Sequence, residues 1–353
     1  MARSPAIRCE HRVNAAVTMP GSPPADEIAA LGAALRRKWG EAVRIENARV
    51  ATLGGSNRTV VFDCVDGGGC RRLVSRRQTY YDASSPFLDP EQQFRIMQAV
   101  HAAGIPVPRP VLLFEPVDDI GAGYVTEFVD GETMPRLILG DPGFAAARAG
   151  LAAQCGTVLA QIHALDTGPF VFLAGRPDSL DPIDAERRRL DVYGEAHPAI
   201  ELGLRWLERH RPRTPARPML VHGDFRTGNL MVGADGLRAV LDWECTRLGD
   251  GMLDIGWLCM RSWRFGRVDL PVGGFGDRAA LYTAYQVAGG AVPDPELVHY
   301  WEIAGLVRWA CLNVMQGHGH VLGGRRSVVY AAAGRNSALI EYELLMTLAG
   351  RYH

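Results

Sequence analysis

The chain has 353 residues, of which 47% are hydrophobic and 22% are charged, and its formal net charge is −1. A chain of this length exceeds one typical hydrophobic core, so we expect two domains. Its longest apolar stretches are interrupted by Gly, Arg or Asp, which argues against a membrane-spanning helix, and residues 1–21 lack the continuous apolar region of a signal peptide. The balanced charge argues against a nucleic-acid partner, because binding a phosphate backbone needs a basic face.

The cysteines bear on the cellular compartment. Their number is odd, and no two of them form a Cys-x-x-Cys pair. They are Cys9, Cys64, Cys70, Cys155, Cys245, Cys259 and Cys311. This pattern argues against a disulfide framework and against a structural zinc site. We therefore expect a reducing, cytoplasmic location.

The hydrophobic pattern predicts an α+β chain in which a small sheet precedes a mainly helical region. Residues 1–24 are rich in Pro, Ala and Ser, and we expect them to be poorly ordered. The next part, 25–130, is predicted to form an N-lobe with five strands, and 131–353 a helical C-lobe interrupted by short strands. The predicted N-lobe elements are helices over 26–39 and 90–103 and strands over 43–53, 59–65, 71–77, 111–114 and 124–129.

Asp224 and Asn229 lie in a short polar loop between apolar segments, and Asp242 follows the next apolar segment. Phosphoryl transfer needs one carboxylate to orient the attacking hydroxyl, and an amide and a second carboxylate to hold Mg²⁺ against nucleotide phosphates. The alternative is a plain turn, since Asp, Gly and Asn are ordinary turn formers. Polar groups held at loop edges between buried strands favour the first interpretation. The apolar segments are 219–221, 230–232 and 238–241.

The run of His222, Gly223, Asp224 and Asn229, with Asp242 after the following strand, resembles the aminoglycoside phosphotransferase and choline kinase-like enzymes. These enzymes share the protein-kinase fold, and the resemblance extends from about residue 45 to the C-terminus. It implies a bilobal α+β fold with a five-stranded antiparallel sheet in the N-lobe. It also implies ATP and Mg²⁺ as cofactors, Asp224 as the catalytic base, and Asn229 and Asp242 as metal ligands. The stretches 254–259 and 261–266 are similar to a bacterial branch related to the kinase-like domain of some acyl-CoA dehydrogenases.

The resemblance also implies a glycine-rich loop over the nucleotide phosphates. Gly54, Gly55, Ser56 and Asn57 lie on the first predicted hairpin, where glycine lets backbone N–H groups approach phosphate oxygens. The alternative is an ordinary hairpin turn.

The chain departs from the family at the phosphate-binding lysine of the third strand. Its only lysine is Lys38, which precedes the first strand, and the alignment places Arg76 at the site. Arginine keeps the charge and binds phosphate at two points. The alternative is a solvated charge at a strand edge. Gln93 aligns with the glutamate that commonly pairs with the lysine, so the salt bridge stays unassigned.

Backbone groups near Glu127, Phe128 and Val129 are predicted to bind the adenine edge, by their position at the end of the N-lobe. Arg226 follows the proposed base by two residues; it either stabilises charge on the transferred phosphoryl group, contacts an anionic acceptor, or pairs with nearby carboxylates. We expect His222 and Asp254 to brace the loop. His163 is predicted to be a satisfied core histidine.

The molecule that accepts the phosphoryl group is the part of the predicted function that the sequence determines least. Arginines are frequent in the helical region, which disfavours a polycationic aminoglycoside and suits an anionic acceptor such as a hydroxyacyl-CoA. They also fit solvated helix faces interleaved with acidic residues. Two other functions stay open: a non-catalytic pseudokinase, which the missing lysine favours, and an antibiotic kinase. The arginines are Arg187, Arg188, Arg189, Arg205, Arg209, Arg211, Arg213, Arg217, Arg261, Arg264 and Arg267.

Overall fold

The computed structural model describes residues 21–51, 57–79, 85–212, 217–323 and 325–352. The chain divides into two compact units, Met1–Gly131 and Glu132–His353. The predicted glycine-rich residues Gly54, Gly55 and Ser56 lie outside the described residues, as do residues 1–20. The first unit contains α1 (Ala25–Trp39), β1 (Arg44–Ala51), β2 (Asn57–Asp66), β3 (Gly69–Gln78), α2 (Pro90–Ala102), β4 (Pro110–Leu113) and β5 (Gly123–Glu127).

The strands of the first unit form one sheet in the order β1-β2-β3-β5-β4, and all its neighbouring strands are antiparallel. This confirms the predicted five-stranded antiparallel sheet. The β2–β3 hairpin closes with Asp66 opposite Gly69, and Oδ1 of Asp66 accepts a hydrogen bond of 2.7 Å from the Gly68 N–H. The tight turn predicted from the glycines is therefore stabilised by an aspartate side chain, as is usual for Asx turns.

Helix α1 covers one face of this sheet. Leu31 and Leu35 point from the helix into a cluster with Phe62, Leu73 and Val125, and each of the five is at most 1% exposed. Burying a leucine or phenylalanine side chain stabilises the folded state by roughly 1.5–3 kcal/mol relative to exposure. The apolar residues that alternate along β2 and those that recur at helical spacing along α1 thus pack into one shared core.

The second unit is mainly helical, as predicted. Its short strands form two separate antiparallel pairs, β6 with β9 and β7 with β8. Strand β9 was not predicted, because three residues show no periodicity and their partner strand is distant along the chain. The elements are α3 (Pro135–Gly140), α4 (Ala145–His163), α5 (Pro177–Leu180), α6 (Pro182–Tyr193), α7 (Pro198–Arg209), β6 (Met219–Val221), β7 (Leu230–Gly233), β8 (Gly236–Val240), β9 (Arg247–Gly249), α8 (Met252–Cys259), α9 (Arg278–Val287), α10 (Pro295–Val321) and α11 (Val328–Leu348).

Two sequence expectations can be compared with the described residues. Among the helices described, none combines the length and the apolar character that crossing a bilayer requires. Cys70 is disulfide-bonded, which the prediction of a chain without a disulfide framework did not anticipate. The free cysteines are all buried: Cys64, Cys155, Cys245, Cys259 and Cys311.

Glycine allows close packing between helices α4 and α9. A Cβ atom on Gly156 would lie 2.3 Å from the carbonyl oxygen of Leu281 and 2.9 Å from the backbone nitrogen of Tyr285. Both atoms belong to a helix backbone, which cannot move aside as a flexible side chain can. The distance between these helices therefore depends on the absence of a side chain at residue 156.

We predict that Gly156→Ala lowers the free energy of unfolding by about 1–3 kcal/mol, the usual cost of overpacking. Gly150→Ala on the same helix is the matched control, because an added Cβ there meets only the Gln154 side chain at 3.8 Å. Alanine at that open helical site should be neutral or stabilising by about 0.4–1 kcal/mol. Urea unfolding followed by circular dichroism measures both changes, and equal stability of the two variants would contradict the packing argument.

Candidate active site

The polar loop between β6 and β7 is tied to the turn after β8 by the imidazole of His222. Its Nδ1 accepts the Asp224 backbone N–H at 3.2 Å, and its Nε2 lies 2.9 Å from the carbonyl oxygen of Leu241. Because one ring nitrogen must accept and the other must donate, the ring is the neutral tautomer with its proton on Nε2. The Leu241 N–H also donates to the Asn229 carbonyl at 2.8 Å. The expectation that His222 braces the loop is confirmed.

Three hydrogen-bond donors hold the carboxylate of Asp224. Its Oδ1 accepts from Nε of Arg226 and from the indole N–H of Trp257, each at 2.9 Å, and its Oδ2 accepts from Nδ2 of Asn229 at 2.6 Å. The Asp224 side chain is 16% exposed. Hydrogen bonds to a charged group are stronger than neutral ones, so this network fixes the direction of the carboxylate.

Asp242 occupies a conformation that few residues other than glycine adopt. Its φ is 66° and its ψ 65°, in the left-handed region that aspartate tolerates better than most side chains. The next residue, Trp243, is 1% exposed and packs its ring edge-on to His222 at 4.7 Å. Buried packing of this kind holds a backbone conformation that would otherwise be unfavourable.

Gly223 makes a close approach that requires glycine. Its φ is 77°, and a Cβ atom there would lie 2.2 Å from the carbonyl oxygen of Cys245. The loop therefore reaches its position only because this residue has no side chain.

The buried carboxylate of Asp254, on α8, anchors the start of the loop. Its Oδ2 accepts the His222 N–H at 2.7 Å and its Oδ1 the Gly223 N–H at 2.8 Å. Nε2 of His163 lies 3.1 Å from Oδ2, and Nδ1 of His163 lies 2.9 Å from the hydroxyl of Tyr285. The predicted bracing role of Asp254 and the predicted satisfied core histidine are both confirmed.

Complete burial acts to raise the pKa of Asp254, but the hydrogen bond from His163 and the loop N–H groups outweigh it and lower the pKa below its usual value. Burial raises the pKa of Tyr285, which stays a neutral hydroxyl donor. The network is thus an ionised carboxylate surrounded by donors.

Arg226 stacks on an aromatic surface next to Asp224. Its guanidinium carbon lies 4.6 Å from the ring centre of Trp263, which in turn packs against Trp257 at 5.5 Å. Of the three expectations for Arg226, pairing with a nearby carboxylate is the one seen directly, through the bond to Asp224. Cation–π stacking and this ion pair together orient the guanidinium.

Trp257 was missed as a site residue by the sequence reasoning. It lies three residues after Asp254 on α8, so both side chains lie on one face of that helix. That spacing, together with the expected role of Asp254, is the signal that could have identified Trp257.

The predicted nucleotide-binding residues of the first unit lie on its sheet and on α2. Arg76 is in β3, paired with Tyr124 of β5. The amide of Gln93 donates to the Leu88 carbonyl at 2.7 Å and accepts from the Tyr124 hydroxyl at 3.0 Å. Gln93 therefore attaches α2 to the strand that flanks Arg76. Asn57 is the first residue of β2.

At the end of β5, two backbone N–H groups already donate hydrogen bonds within the first unit. The Glu127 N–H donates to the Arg109 carbonyl at 2.9 Å, and the Phe128 N–H to the Arg72 carbonyl at 3.0 Å. Within the described residues, Val129 is the predicted adenine-binding residue whose N–H has no backbone acceptor.

Several arginines predicted to face an anionic acceptor are ion-paired on helix surfaces instead. This confirms, for these residues, the alternative of helix faces with interleaved charges, and such surface pairs contribute little to stability. The pairs are Arg187 with Glu201 and Glu208, Arg188 with Asp184, Arg205 with Glu201, and Arg211 with Asp181.

Comparison with known families identifies this arrangement. The model of APH, the phosphotransferase enzyme family, matches residues 47–290, which is more than half of the chain. The chain therefore belongs to the APH phosphotransferase enzyme family. The predicted enzyme class, a phosphotransferase with an alcohol group as acceptor, is confirmed with it.

Individual relatives agree with the narrower resemblance. Acyl-CoA dehydrogenase family member 10 from Mus musculus is 32% identical over 225 residues, which are 59% of this chain and 20% of that protein. The matched region is thus about a fifth of that relative.

Solved structures show the same fold. A Ralstonia eutropha JMP134 protein assigned to the aminoglycoside phosphotransferases superposes with a TM-score of 0.67 and 26% identity, covering 90% of this chain and 97% of that one. A thermostable mutant of aminoglycoside phosphotransferase APH(4)-Ia, in a ternary complex with AMP-PNP and hygromycin B, superposes with a TM-score of 0.59 and 16% identity, covering 89% and 98%. These matches confirm the predicted bilobal, protein-kinase-like α+β fold.

We predict that Asp254→Asn lowers the free energy of unfolding by about 3 kcal/mol near neutral pH. The amide nitrogen would face a backbone N–H, leaving a buried donor without an acceptor. Because the pKa of Asp254 is lowered in the folded protein, its contribution is complete above the unfolded-state pKa of about 3.9 and is lost as the pH falls below it.

The difference in free energy of unfolding between the unmodified protein and the Asp254→Asn variant should therefore be constant from about pH 5 to 8 and shrink below about pH 4. Asp184→Asn, at an exposed ion pair, is the control and should change stability by less than about 1 kcal/mol. Urea unfolding across this pH range measures both. A difference that grows at low pH would show that the carboxylate is not stabilised by its donors.

Proposed function

We propose that the chain transfers the γ-phosphoryl group of Mg·ATP to a hydroxyl group of a small-molecule acceptor. The observation that carries this proposal is the oriented carboxylate of Asp224, held by Arg226, Trp257 and Asn229 at 2.6–2.9 Å. A carboxylate held in this way orients the acceptor hydroxyl and receives its proton as the phosphoryl group moves. Catalysis is then positioning and charge neutralisation, without a covalent enzyme intermediate.

Asn229 and Asp242 fit the role of Mg²⁺ ligands. Because Nδ2 of Asn229 donates to Asp224, Oδ1 of the same amide is the atom left to bind a cation. Asp242 adds a carboxylate on the turn that His222 ties to the loop. One amide oxygen and one carboxylate, completed by nucleotide phosphates and water, are ligands that Mg²⁺ prefers. When bound, the ion neutralises charge on the phosphates.

Arg226 is proposed to stabilise the charge that develops on the transferred phosphoryl group. Its Nε is used by Asp224 and its Nη1 lies 3.4 Å from the Thr227 carbonyl, while Nη2 has no hydrogen-bond partner among the described residues. Stacking on Trp263 holds this cation in place without using its remaining N–H groups.

Residues of the first unit are proposed to bind the nucleotide. The glycine-rich loop would cover the phosphates, Arg76 would hold them, and the backbone at the end of β5 would bind the adenine edge. Support comes from the family and from the relative that holds AMP-PNP. The proposed residues are Gly54, Gly55, Ser56, Asn57, Arg76, Gln93, Glu127, Phe128 and Val129.

We infer that the acceptor is a hydroxyacyl-CoA or another anionic metabolite. A guanidinium lies directly beside the proposed base, at 2.9 Å from its carboxylate, and it would repel a polycationic aminoglycoside brought to the same carboxylate. The 32% identity to an acyl-CoA dehydrogenase family member also supports this class of acceptor.

We predict that Mg·ATP raises the thermal unfolding temperature, since a ligand at one hundred times its dissociation constant stabilises by about 2.7 kcal/mol. Asp242→Ala should remove the Mg²⁺-dependent part of this rise. Asp235→Ala is the control, because that carboxylate lies on the β7–β8 hairpin and is 77% exposed. Thermal shift with ATP or GTP, with and without Mg²⁺, measures the effect. The absence of any shift in the unmodified protein would favour the pseudokinase.

We predict that Asp224→Ala lowers phosphoryl transfer by about 10²–10⁴-fold while the Mg·ATP shift is retained. Loss of nucleotide binding in this variant would contradict the role of Asp224 as base. Trp257→Phe, which deletes one donor to Asp224, should lower transfer about tenfold at unchanged nucleotide affinity.

Trp301→Phe is the matched control, because its indole N–H bonds Asp250 at 3.2 Å instead. ADP release with a panel of hydroxyacyl-CoAs measures these rates, with kanamycin as the polycationic comparison. Equal losses in the two tryptophan variants would show that Trp257 acts only through packing.

A further inference from the structure

One turn of 3₁₀ helix, Arg261–Arg264, follows α8 and carries Trp263; we call it the 261–264 turn. The indole of Trp263 is the aromatic surface on which Arg226 stacks, with 4.6 Å between the guanidinium carbon and the ring centre. Arg226 in turn donates to the carboxylate of Asp224 at 2.9 Å. The position of the 261–264 turn therefore bears on the geometry around the proposed base.

The side chain of Trp263 has no hydrogen bond to fix its ring. It is buried, yet its indole N–H has no acceptor within the described residues. The ring instead packs against Trp257 and Trp309, at 5.5 Å and 5.2 Å between ring centres. Because apolar packing is not directional, the position of the ring depends on where the backbone of the 261–264 turn is held.

That backbone is held by Glu343 of helix α11. Its Oε1 accepts the Ser262 backbone N–H and its Oε2 accepts the Ser262 hydroxyl, each at 2.9 Å. Glu343 is 7% exposed, so little water competes for these two bonds. Hydrogen bonds in such an environment are electrostatically stronger than in water. Both carboxylate oxygens thus hold the residue directly before Trp263.

A second contact joins the same two parts of the chain. The guanidinium carbon of Arg261 lies 4.0 Å from the ring centre of Tyr352, which follows α11. The ring of Tyr352 packs edge-on to Tyr342 of α11, with 6.4 Å between the ring centres. The 261–264 turn is therefore attached at two consecutive residues, Arg261 and Ser262, to the last helix and the segment after it.

We propose that Glu343 is a positioning residue for Arg226. It acts through Ser262, whose two bonds fix the 261–264 turn, and so through Trp263. This role rests on the proposed function, in which Arg226 stabilises the charge that develops on the transferred phosphoryl group. Losing the two bonds to Ser262 releases the turn, and the indole and the guanidinium then move with it. A misplacement of about 1 Å can lower the rate of a reaction about 10²-fold.

The position of Arg226 is measured without an enzyme assay, by ¹⁵N nuclear magnetic resonance of the full chain with labelled arginine. The Nε–H signal of Arg226 is identified by its absence in Arg226→Lys. Because this N–H lies beside the indole of Trp263 and donates to Asp224, we expect a ring-shifted signal that exchanges slowly with water. Glu343→Leu, which removes both acceptors of Ser262, should return the signal towards those of unstacked arginines and speed its exchange.

Glu341→Leu is the matched control, because that carboxylate lies on the same helix but bonds Nδ1 of His197 at 2.8 Å. It should leave the Arg226 signal unchanged. Glu343→Gln should also leave the signal in place, since the amide oxygen still accepts the Ser262 N–H. An unchanged signal in Glu343→Leu, or equal changes in the two leucine variants, would overturn the proposal. If Glu343→Leu does not fold, Ser262→Ala, which deletes the hydroxyl partner alone, must move the signal for the proposal to stand.

The kinetic test separates kcat from KM. Glu343→Leu should lower kcat by about tenfold or more at an unchanged KM for ATP, whereas Glu341→Leu should change neither. Equal values of kcat in the two variants would contradict the positioning role. If the unmodified protein transfers no phosphoryl group, the proposed function fails, and the Arg226 signal still decides whether Glu343 positions this side chain.

Discussion

The buried carboxylate of Asp254 is the group on which the geometry of the active-site loop depends. It is 0% exposed and is compensated by the N–H groups of His222 and Gly223 and by the ring of His163. An ionised carboxylate without such donors could not remain in an apolar interior. Because Asp254 belongs to α8 and His163 to α4, the loop position depends on helix packing as well as on the glycine at residue 223.

Two side chains of helix α8 fix the position of the proposed base. Asp254 holds the backbone just before Asp224, and Trp257, one turn later, donates to its carboxylate. Displacing this helix would therefore move the main chain and the side chain of Asp224 together. His222 extends the same constraint to the turn of Asp242 through its two ring nitrogens. The proposed base and the proposed metal-binding turn follow different strands, and these hydrogen bonds connect them, as catalysis by positioning would require.

The departures from the family pattern have structural partners. Arg76 occupies the strand position expected of a lysine, and Gln93 bonds the Tyr124 hydroxyl on the neighbouring strand, next to Arg76 in the sheet register. A neutral amide can anchor α2 to the sheet without supplying a counter-charge to Arg76.

By itself the sequence determined the five strands of the first unit and the loop of Asp224, Asn229 and Asp242. Alternating burial, glycine turns and the spacing of a short polar motif are local properties that a chain displays without its fold. The tertiary structure alone decided that the indole N–H of Trp257 donates to Asp224 and that β9 pairs with β6. These contacts join residues from separate elements, and their energies depend on distance and burial, which exist only after the helices have packed.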